Sequence, residues 1–405
     1  MKTTIFVQTL SLSAALLMGG HASLGADSLD TWATRYVADW TLNDVTYGDG
    51  LFVAAANVCY TSTDGVGWTR RAMEQPPFEL RSVAYGNGRF VAVAAGAAYV
   101  STNGIDWRYG ADLPDDDPLP VVRRVVFAGG TFLVVGQEGG DRGSASHWLI
   151  LTSPDGTNWS RQSGEPNGES HHLNTAAYGN GVYLAGGWVG LPTTEGLLLL
   201  STNLTEWTSV PAPFRDIEGL SYGKGMFIAV GSGIATSSDG VHWTNQLGAI
   251  RNGFSAVTFG GDSFVAVGDS SLLMSSSDGV TWREHANRVD GLLGVTYGQG
   301  SFIAVGGFYT ALPRGVALQS GGRPQVWLDP LGFGPSWDGG FQLLLRADAG
   351  RTYRLQASER WPAESWTDVT SISLPGEPGP WPFTMRLVDI WARPGEQRFY
   401  RVVSP

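Results

Sequence analysis

One pattern, written seven times, constrains this chain more than anything else in it. The copies are VTYGDGLFVAA (45–55), VAYGNGRFVAV (83–93), VVFAGGTFLVV (125–135), AAYGNGVYLAG (176–186), LSYGKGMFIAV (220–230), VTFGGDSFVAV (257–267) and VTYGQGSFIAV (295–305). Their central aromatics, Tyr47, Tyr85, Phe127, Tyr178, Tyr222, Phe259 and Tyr297, are 38, 42, 51, 44, 37 and 38 residues apart. A second pattern follows six of the copies: STDGVGW (62–68), STNGIDW (101–107), SPDGTNW (153–159), STNLTEW (201–207), SSDGVHW (237–243) and SSDGVTW (276–282).

The chemistry of the two patterns defines the unit. An apolar strand enters YGxG, whose glycines are expected to supply the positive φ of a tight hairpin. A second strand of FVAVG type follows, and a third runs into S-x-[DN]-G-x-x-W. Asp-Gly favours a hairpin, and an Asp or Asn side chain there bonds its own downstream backbone. The Trp opens a fourth strand. Four strands in about 42 residues make one propeller blade, and no segment shows an amphipathic helical period. The predicted fold is therefore all-β, a seven-bladed β-propeller, with six blades as the alternative. The seventh copy has no box and ends in VALQSGGRPQVW at Trp327, while Trp32 stands 15 residues before Tyr47. A strand near 31–37 is expected to complete the last blade and so remove the open edge of the ring.

S-x-[DN]-G-x-x-W resembles the Asp-box of bacterial neuraminidase repeats. Sialidases, xyloglucanases, the sortilin type and the photosystem II assembly factor type are propellers that carry such boxes. The usual form, S-x-D-x-G-x-x-W, is one residue longer, so this is a variant box, and the resemblance covers about 32–327. It implies that Asp64, Asn103, Asp155, Asn203, Asp239 and Asp278 are structural turn formers, on the face opposite any active site. A sialidase of that family would carry Arg-Ile-Pro near its first blade and an arginine triad; no Arg-Ile-Pro occurs here.

Composition narrows the context. The chain has 405 residues, of which 56 are Gly and 42% hydrophobic, which suits turn-rich β-structure and excludes disorder. Lone Cys59 excludes a disulfide framework and a Cys-based zinc site, and reads as a small buried residue. A net charge of −11 with two lysines, Lys2 and Lys224, argues against nucleic acid or an anionic membrane as partner. Residues 1–26 read as a secretory signal peptide: Lys2, an apolar run from Ile5 to Met18, then small residues. No later stretch is long and apolar enough to span a bilayer. A mature monomer is expected outside the cytoplasm, whether secreted, periplasmic or at the cell surface. The repeat occupies 27–327. Residues 328–405 contain the alternating strands FQLLLRA, TYRLQAS and RFYRVVS. They read as a small β-sandwich, similar to C-terminal modules on exported proteins of environmental bacteria.

Strand order then divides the ring into two faces. With YGxG and the box on one face, the second-to-third and fourth-to-first connections lie on the other. Those connections vary most at 108–122, 137–147, 160–172, 188–197 and 307–315. Four residues before each central aromatic stand Asn43, Arg81, Arg123, Asn174, Glu218, Ser255 and Leu293, a largely polar column expected to rim the channel. Arg81, Arg123 and Arg124 suit a carboxylate or sulfate, or pair with Asp44 and Glu218 as solvated rim residues. Glu138, Asp141, Glu165, Glu169, Asp216 and Glu218 offer carboxylates for glycoside hydrolysis, with no pair singled out. His147, Trp148, His171 and Trp188 flank the long loops, the indoles suiting a sugar face or the core. His242 and His285 occupy repeat positions and are expected to be exposed. No cofactor and no metal site is expected. The first reading is a non-catalytic propeller binding a glycan or a protein through the variable face. A carbohydrate-active hydrolase or lyase, and a structural or assembly scaffold, are the alternatives.

Overall fold

The computed structural model of the protein describes residue 29 and residues 31–74, 79–114, 121–139, 145–163, 169–190, 195–248, 250, 253–287, 289–308, 314–321, 326–335, 341–347, 352–358, 367–373, 383–389 and 399–403. The signal-peptide segment, Asp141 and Glu165 lie outside them. Contacts divide the chain into two compact units, Leu24–Gly322 and one that includes Arg323–Pro405.

The first unit is a seven-bladed β-propeller of seven four-stranded antiparallel sheets. Blade 1 consists of Asp44–Gly48, Leu51–Ala55, Cys59–Ser62 and Thr69–Arg70. Blades 2, 5 and 6 repeat it over 80–112, 217–247 and 254–284. Blade 3 has Val121–Ala128, Thr131–Gly139, Ser146–Ser153 and Ser160–Ser163. Blade 4 has Ser170–Gly179, Val182–Gly190, Glu195–Ser201 and Thr208–Ser209. In blade 7 the inner strands Gly291–Gly298, Ser301–Phe308 and Arg314–Ser320 are completed by Trp32–Ala38. Trp32 lies opposite Ser320 and Arg35 opposite Ala317. The ring is thus closed by the two ends of the repeat, as the lone Trp32 suggests.

The core lies between blades. Val53, Ala55 and buried Cys59 of blade 1 pack on Leu80, Phe90 and Trp107 of blade 2. Ile303 and Val305 of blade 7 pack in the same way on Phe52 and Ala54 of blade 1. Burial pushes the Cys59 thiol pKa up, so this cysteine stays a protonated hydrophobe.

The two glycines of YGxG do different work. Asp49 and Gly50 have φ of 48° and 76°, the pair of left-handed residues that a type I′ hairpin needs. The first glycine does not have positive φ, contrary to the expectation from sequence. A Cβ on Gly86 would lie 2.0 Å from the ring of Phe127, and one on Gly48 would lie 2.0 Å from the ring of Tyr85. Each first glycine is there because the next blade's aromatic ring sits where a side chain would be.

The boxes form one repeated hydrogen-bond set. Asp64 Oδ1 accepts from the backbone N–H of Val66 and Gly67 and from the Ser62 hydroxyl, while Ser62 Oγ accepts from Gly65 N–H. Asn103, Asp155, Asn203, Asp239 and Asp278 make the same contacts in their blades. Burial raises the Asp155 carboxyl, but the N–H groups of Asn158 and Thr157 and the side chain of Asn158 together carry it below the usual range; the His242 side chain, then the N–H groups of His242 and Val241, do the same for Asp239, and those of Thr281 and Val280 hold Asp278 down at about 2. The Trp Nε1–H donates back to the box glycine carbonyl, as from Trp107 to Gly104 at 2.9 Å. The fourth box departs from this. Leu204 replaces the glycine at a φ of 65°, and Trp207 Nε1 is buried without a hydrogen-bond partner. Trp107→Phe should therefore cost about 2 kcal/mol in urea unfolding, from lost volume and a lost hydrogen bond. Trp207→Phe removes an unpaired donor, so its cost should be at least about 1 kcal/mol smaller; equal losses would contradict this account.

The second unit contains two three-stranded antiparallel sheets. Phe341–Ala347 is central in one, between Val326–Pro335 and Phe383–Asp389. Thr352–Ser358 is central in the other, between Thr367–Ser373 and Phe399–Val403.

Candidate functional site

Side chains on the box-bearing face are used to tie the blades together. Asn87 Nδ2 donates to Gly130 O and Pro154 O, and Arg89 to Asp155 O. Lys224 Nζ donates to Ser277 O, and Gln319 Nε2 to Asp64 O. Hairpin turns and boxes of neighbouring blades thus share one face, and the strand starts lie at the other.

At that other face the inner strands share a backbone feature that the sequence pattern did not reveal. The ladder of blade 2 shifts register between Leu80 and Ser82, and that of blade 3 between Val122 and Arg124. The same shift falls between Leu173 and Thr175, Ile217 and Gly219, Phe254 and Ala256, and Leu292 and Gly294. The residue left over in each bulge is Arg81, Arg123, Asn174, Glu218, Ser255 or Leu293. A bulge turns one side chain out of the alternating pattern, and such turns recur at barrel rims and binding sites. The polar column at the strand starts is therefore a ring of bulge residues; in blade 1 its counterpart is Asn43, just ahead of the strand.

Contacts within this ring are specific. Asn43 Nδ2 donates to Glu79 Oε1 and Leu80 O, and Asn174 Nδ2 to Glu218 Oε1 at 3.0 Å. Arg81 pairs with Glu79 at 3.2 Å. Asp44 is not the partner of an arginine. It is buried, accepts from Val45 and Val83 N–H, and takes the Ser82 hydroxyl, clipping blade 1 to blade 2. Arg124 Nη2 reaches Leu293 O of blade 7 at 3.4 Å.

Charge gathers at blades 3 to 5. Burial, then Asp216, push the Glu218 carboxyl up to about 7; Asp269 adds to this, while Arg124 and Arg123 oppose it. Burial, then Arg123 and His171, push His172 down to about 4. His172 stacks on Trp188 with centroids 3.7 Å apart and bonds Gln137 through Nδ1.

These shifts give opposite pH slopes. The Glu218 carboxyl binds its proton more tightly folded than at the ordinary 4.5, so stability falls as pH rises from about 4.5 to about 7. His172 binds its proton less tightly folded than at 6.5, so stability rises with pH from about 4 to 6.5. Glu218→Gln keeps an acceptor for Asn174 and removes only the first slope. It should raise stability by about 1–2 kcal/mol at pH 8 and leave it nearly unchanged at pH 4.5. Melting temperatures across that range measure this; an equal shift at both ends would dissociate Glu218 from the effect.

The remaining residues singled out in the sequence are distributed as follows. Glu138 is buried and forms a two-point ion pair with Arg161, at 3.0 Å to Nε and 2.6 Å to Nη2, so it is occupied in holding blade 3 together. Asp216 accepts from Ser232 N–H at 3.1 Å. Trp148, Glu169 and His171 line one cavity of about 360 Å³ with Val189, Glu195 and Ser209. His147 precedes Trp148 on the same strand, and its Nδ1 is buried without a partner. His242 is exposed and pairs with Asp239 at 2.8 Å. His285 is buried, contrary to expectation: 6% exposed, beside Trp32, with Nε2 2.7 Å from Ser275 Oγ. The reason is the closing strand, which covers this part of the ring.

The long loops of blades 3 and 4 are partly strand. The second strand of blade 5 ends at Gly231 opposite Ile217. In blades 3 and 4 the equivalent residues are Gly136 and Gly187, and pairing continues three residues further, to Gly139 and Gly190. Blade 7 continues two residues past Gly306, to Phe308, and blades 3 and 4 rise furthest, roughly 10 Å above the level of blade 5. Gln137, Trp148, His171, His172 and Trp188 all stand on these extensions.

No protein-family model matches the chain, and no curated protein matches it. Solved structures share its fold. The WD40 β-propeller domain of Doa1 is 14% identical with a TM-score of 0.53, over 71% of this chain and 95% of that one. The extracellular domain of BT4673 from B. thetaiotaomicron is 12% identical with a TM-score of 0.52, over 79% of this chain and 46% of that one. At these identities the likeness is one of fold, and the fold is a seven-bladed β-propeller.

Proposed function

We propose that this chain is an exported, non-catalytic Asp-box propeller that binds a glycan or protein ligand on the face opposite its boxes. The observation that carries this is the ring of bulge residues. Six inner strands each give up a ladder position at the same height, at Arg81, Arg123, Asn174, Glu218, Ser255 and Leu293, and five of these six are polar, which supports a binding role for the channel mouth. On the box face, by contrast, polar side chains are consumed in turns and blade-to-blade ties. The segment 1–26 as a signal peptide, and 328–405 as a sandwich serving attachment, belong to the same reading. Among the described residues no helix is long and apolar enough to cross a membrane.

The test is a panel of polysaccharides and extracellular proteins scored for both binding and product release. Binding without turnover is expected, with affinity reduced about tenfold or more in Arg123→Ala for a ligand bearing an acidic group. Absence of binding across the panel would overturn the proposal. A hydrolase or lyase is the second reading, favoured by Glu218, which is held half-protonated near neutrality beside Asp216 as a general acid requires. Product release abolished by Glu218→Gln would establish that reading instead.

A further inference from the structure

The proposed binding function leaves open what the ring of bulge residues takes and what regulates it. Resting on that reading, we infer that the channel mouth accepts a carboxylate of its ligand in exchange for the charge of Glu218, so that binding is coupled to uptake of a proton by this side chain.

Two arginines supply the attraction. Arg123 is the extra residue of its bulge, and Arg124 re-enters the ladder opposite Val135. The bulge breaks the alternation that sends neighbouring side chains to opposite faces. Both guanidinium groups accordingly act on Glu218, two blades away. Arg123 is exposed, and the one hydrogen bond of Arg124 among the described residues runs from Nη2 to Leu293 O at 3.4 Å. Blade 7 is no neighbour of blade 3, so this bond reaches across the mouth. Among the described residues, neither arginine is within ion-pair distance of a carboxylate. The two oxygens of a carboxylate match the parallel N–H groups of such a fork.

Glu218 is both the obstacle and the switch. Asn174 Nδ2 of blade 4 donates to its Oε1 at 3.0 Å, and no described group donates to Oε2. The charged groups that act on it are Asp216 of its own blade, Asp269 of blade 6, and Arg124 and Arg123 of blade 3. With Glu218 ionised, two arginines face three carboxylates, and a further anion is repelled. With Glu218 neutral, the balance is two against two, and its O–H donates to the incoming carboxylate. The proton comes from solvent and stays on Glu218. Burial, then Asp216, push this carboxyl up to about 7, which puts the exchange in the neutral range. His172, which Arg123 also faces, is pushed down to about 4 and stays neutral there. A bound anion makes Glu218 hold its proton more tightly still, so affinity falls as pH rises through about 7.

Isothermal titration of the whole protein with tetragalacturonate and with tetraglutamate, at pH 6 and pH 8 in buffers of differing ionisation enthalpy, tests this. The first probe carries its carboxylates on sugars and the second on a peptide, so the tighter one identifies the carrier. At least one should bind with net proton uptake. Its affinity should fall about fivefold from pH 6 to pH 8, as for a proton held about tenfold more tightly in the complex. Glu218→Gln stays neutral at every pH, so it should keep the pH 6 affinity at pH 8 and abolish proton uptake. Arg123→Ala should weaken binding about tenfold or more at pH 6. Melting curves check that both variants are folded. Binding without proton uptake would overturn the inference and leave the binding function standing, as would a pH dependence that survives in Glu218→Gln. Failure of both probes to bind at about 10 mM would also overturn it. Only silence across the whole panel of polysaccharides and proteins overturns the binding function as well.

Discussion

A chain from which residues 32–38 are removed is expected to lose its cooperative unfolding transition and to self-associate. This strand is the outermost of blade 7 and the only one that comes from the other end of the repeat. It buries Ala33 and Ala38 and half-buries Trp32 and Val37, which together contribute on the order of 4 kcal/mol. That is a large part of the roughly 5–15 kcal/mol that usually separates folded from unfolded protein. The loss is not confined to one blade. Without the strand, Arg314–Ser320 becomes an unpaired edge, and such an edge pairs with another chain. Buried His285 also loses the cover of Trp32. Size-exclusion chromatography and thermal melting are the measurements, and adding a peptide of sequence WATRYVA should partly restore the monomer. A truncated chain that stays monomeric and melts as sharply as the full one would show that the seam does not hold the ring.

The ring was legible in the sequence because propeller repeats are nearly one-dimensional. Each copy packs only on its neighbours, so spacing alone gives blade number, and a single displaced Trp32 gives the closure. The box turns were legible because their hydrogen bonds are local, within three residues of Asp64 or its equivalents. The bulges were not, since a register shift depends on pairing between strands and leaves no compositional mark. Arg123 and Glu218 were visible as a polar column, but not why they leave the ladder. The raised hairpins of blades 3 and 4 were read as loops because GlnGluGly and HisTrp have no counterpart in the other copies. Their pairing, Glu138 opposite His147, is cross-strand information. The cleft lined by Trp148, His171 and Glu195 depends on both omissions at once.

The protein contains its own control for the other large effect. Gly86→Ala would place a Cβ 2.0–2.4 Å from three ring atoms of Phe127, closer than any packed side chain tolerates. Because the obstacle is a ring wedged between two blades, the ring must move, and its displacement should cost about 3 kcal/mol. Blade 3 shows where it would go. Its copy reads FAGG, with Ala128 at the position of the first glycine, and the aromatic of the next blade, Tyr178, is 39% exposed, although it keeps the tilted ring contact, here with Tyr183, that the other central aromatics make. Where the glycine is absent, the ring is the most exposed of the seven central aromatics. Gly86→Ala should therefore lower the melting temperature by several degrees and expose Phe127, which hydrogen exchange at the Phe127 turn would report. Pairing Gly86→Ala with Phe127→Ala should recover part of the loss, because the second change removes the atoms with which the first collides. Simple additivity of the two would mean that the glycine serves the backbone and not the neighbouring ring, and the account of YGxG given by Gly48 and Gly86 would fail with it.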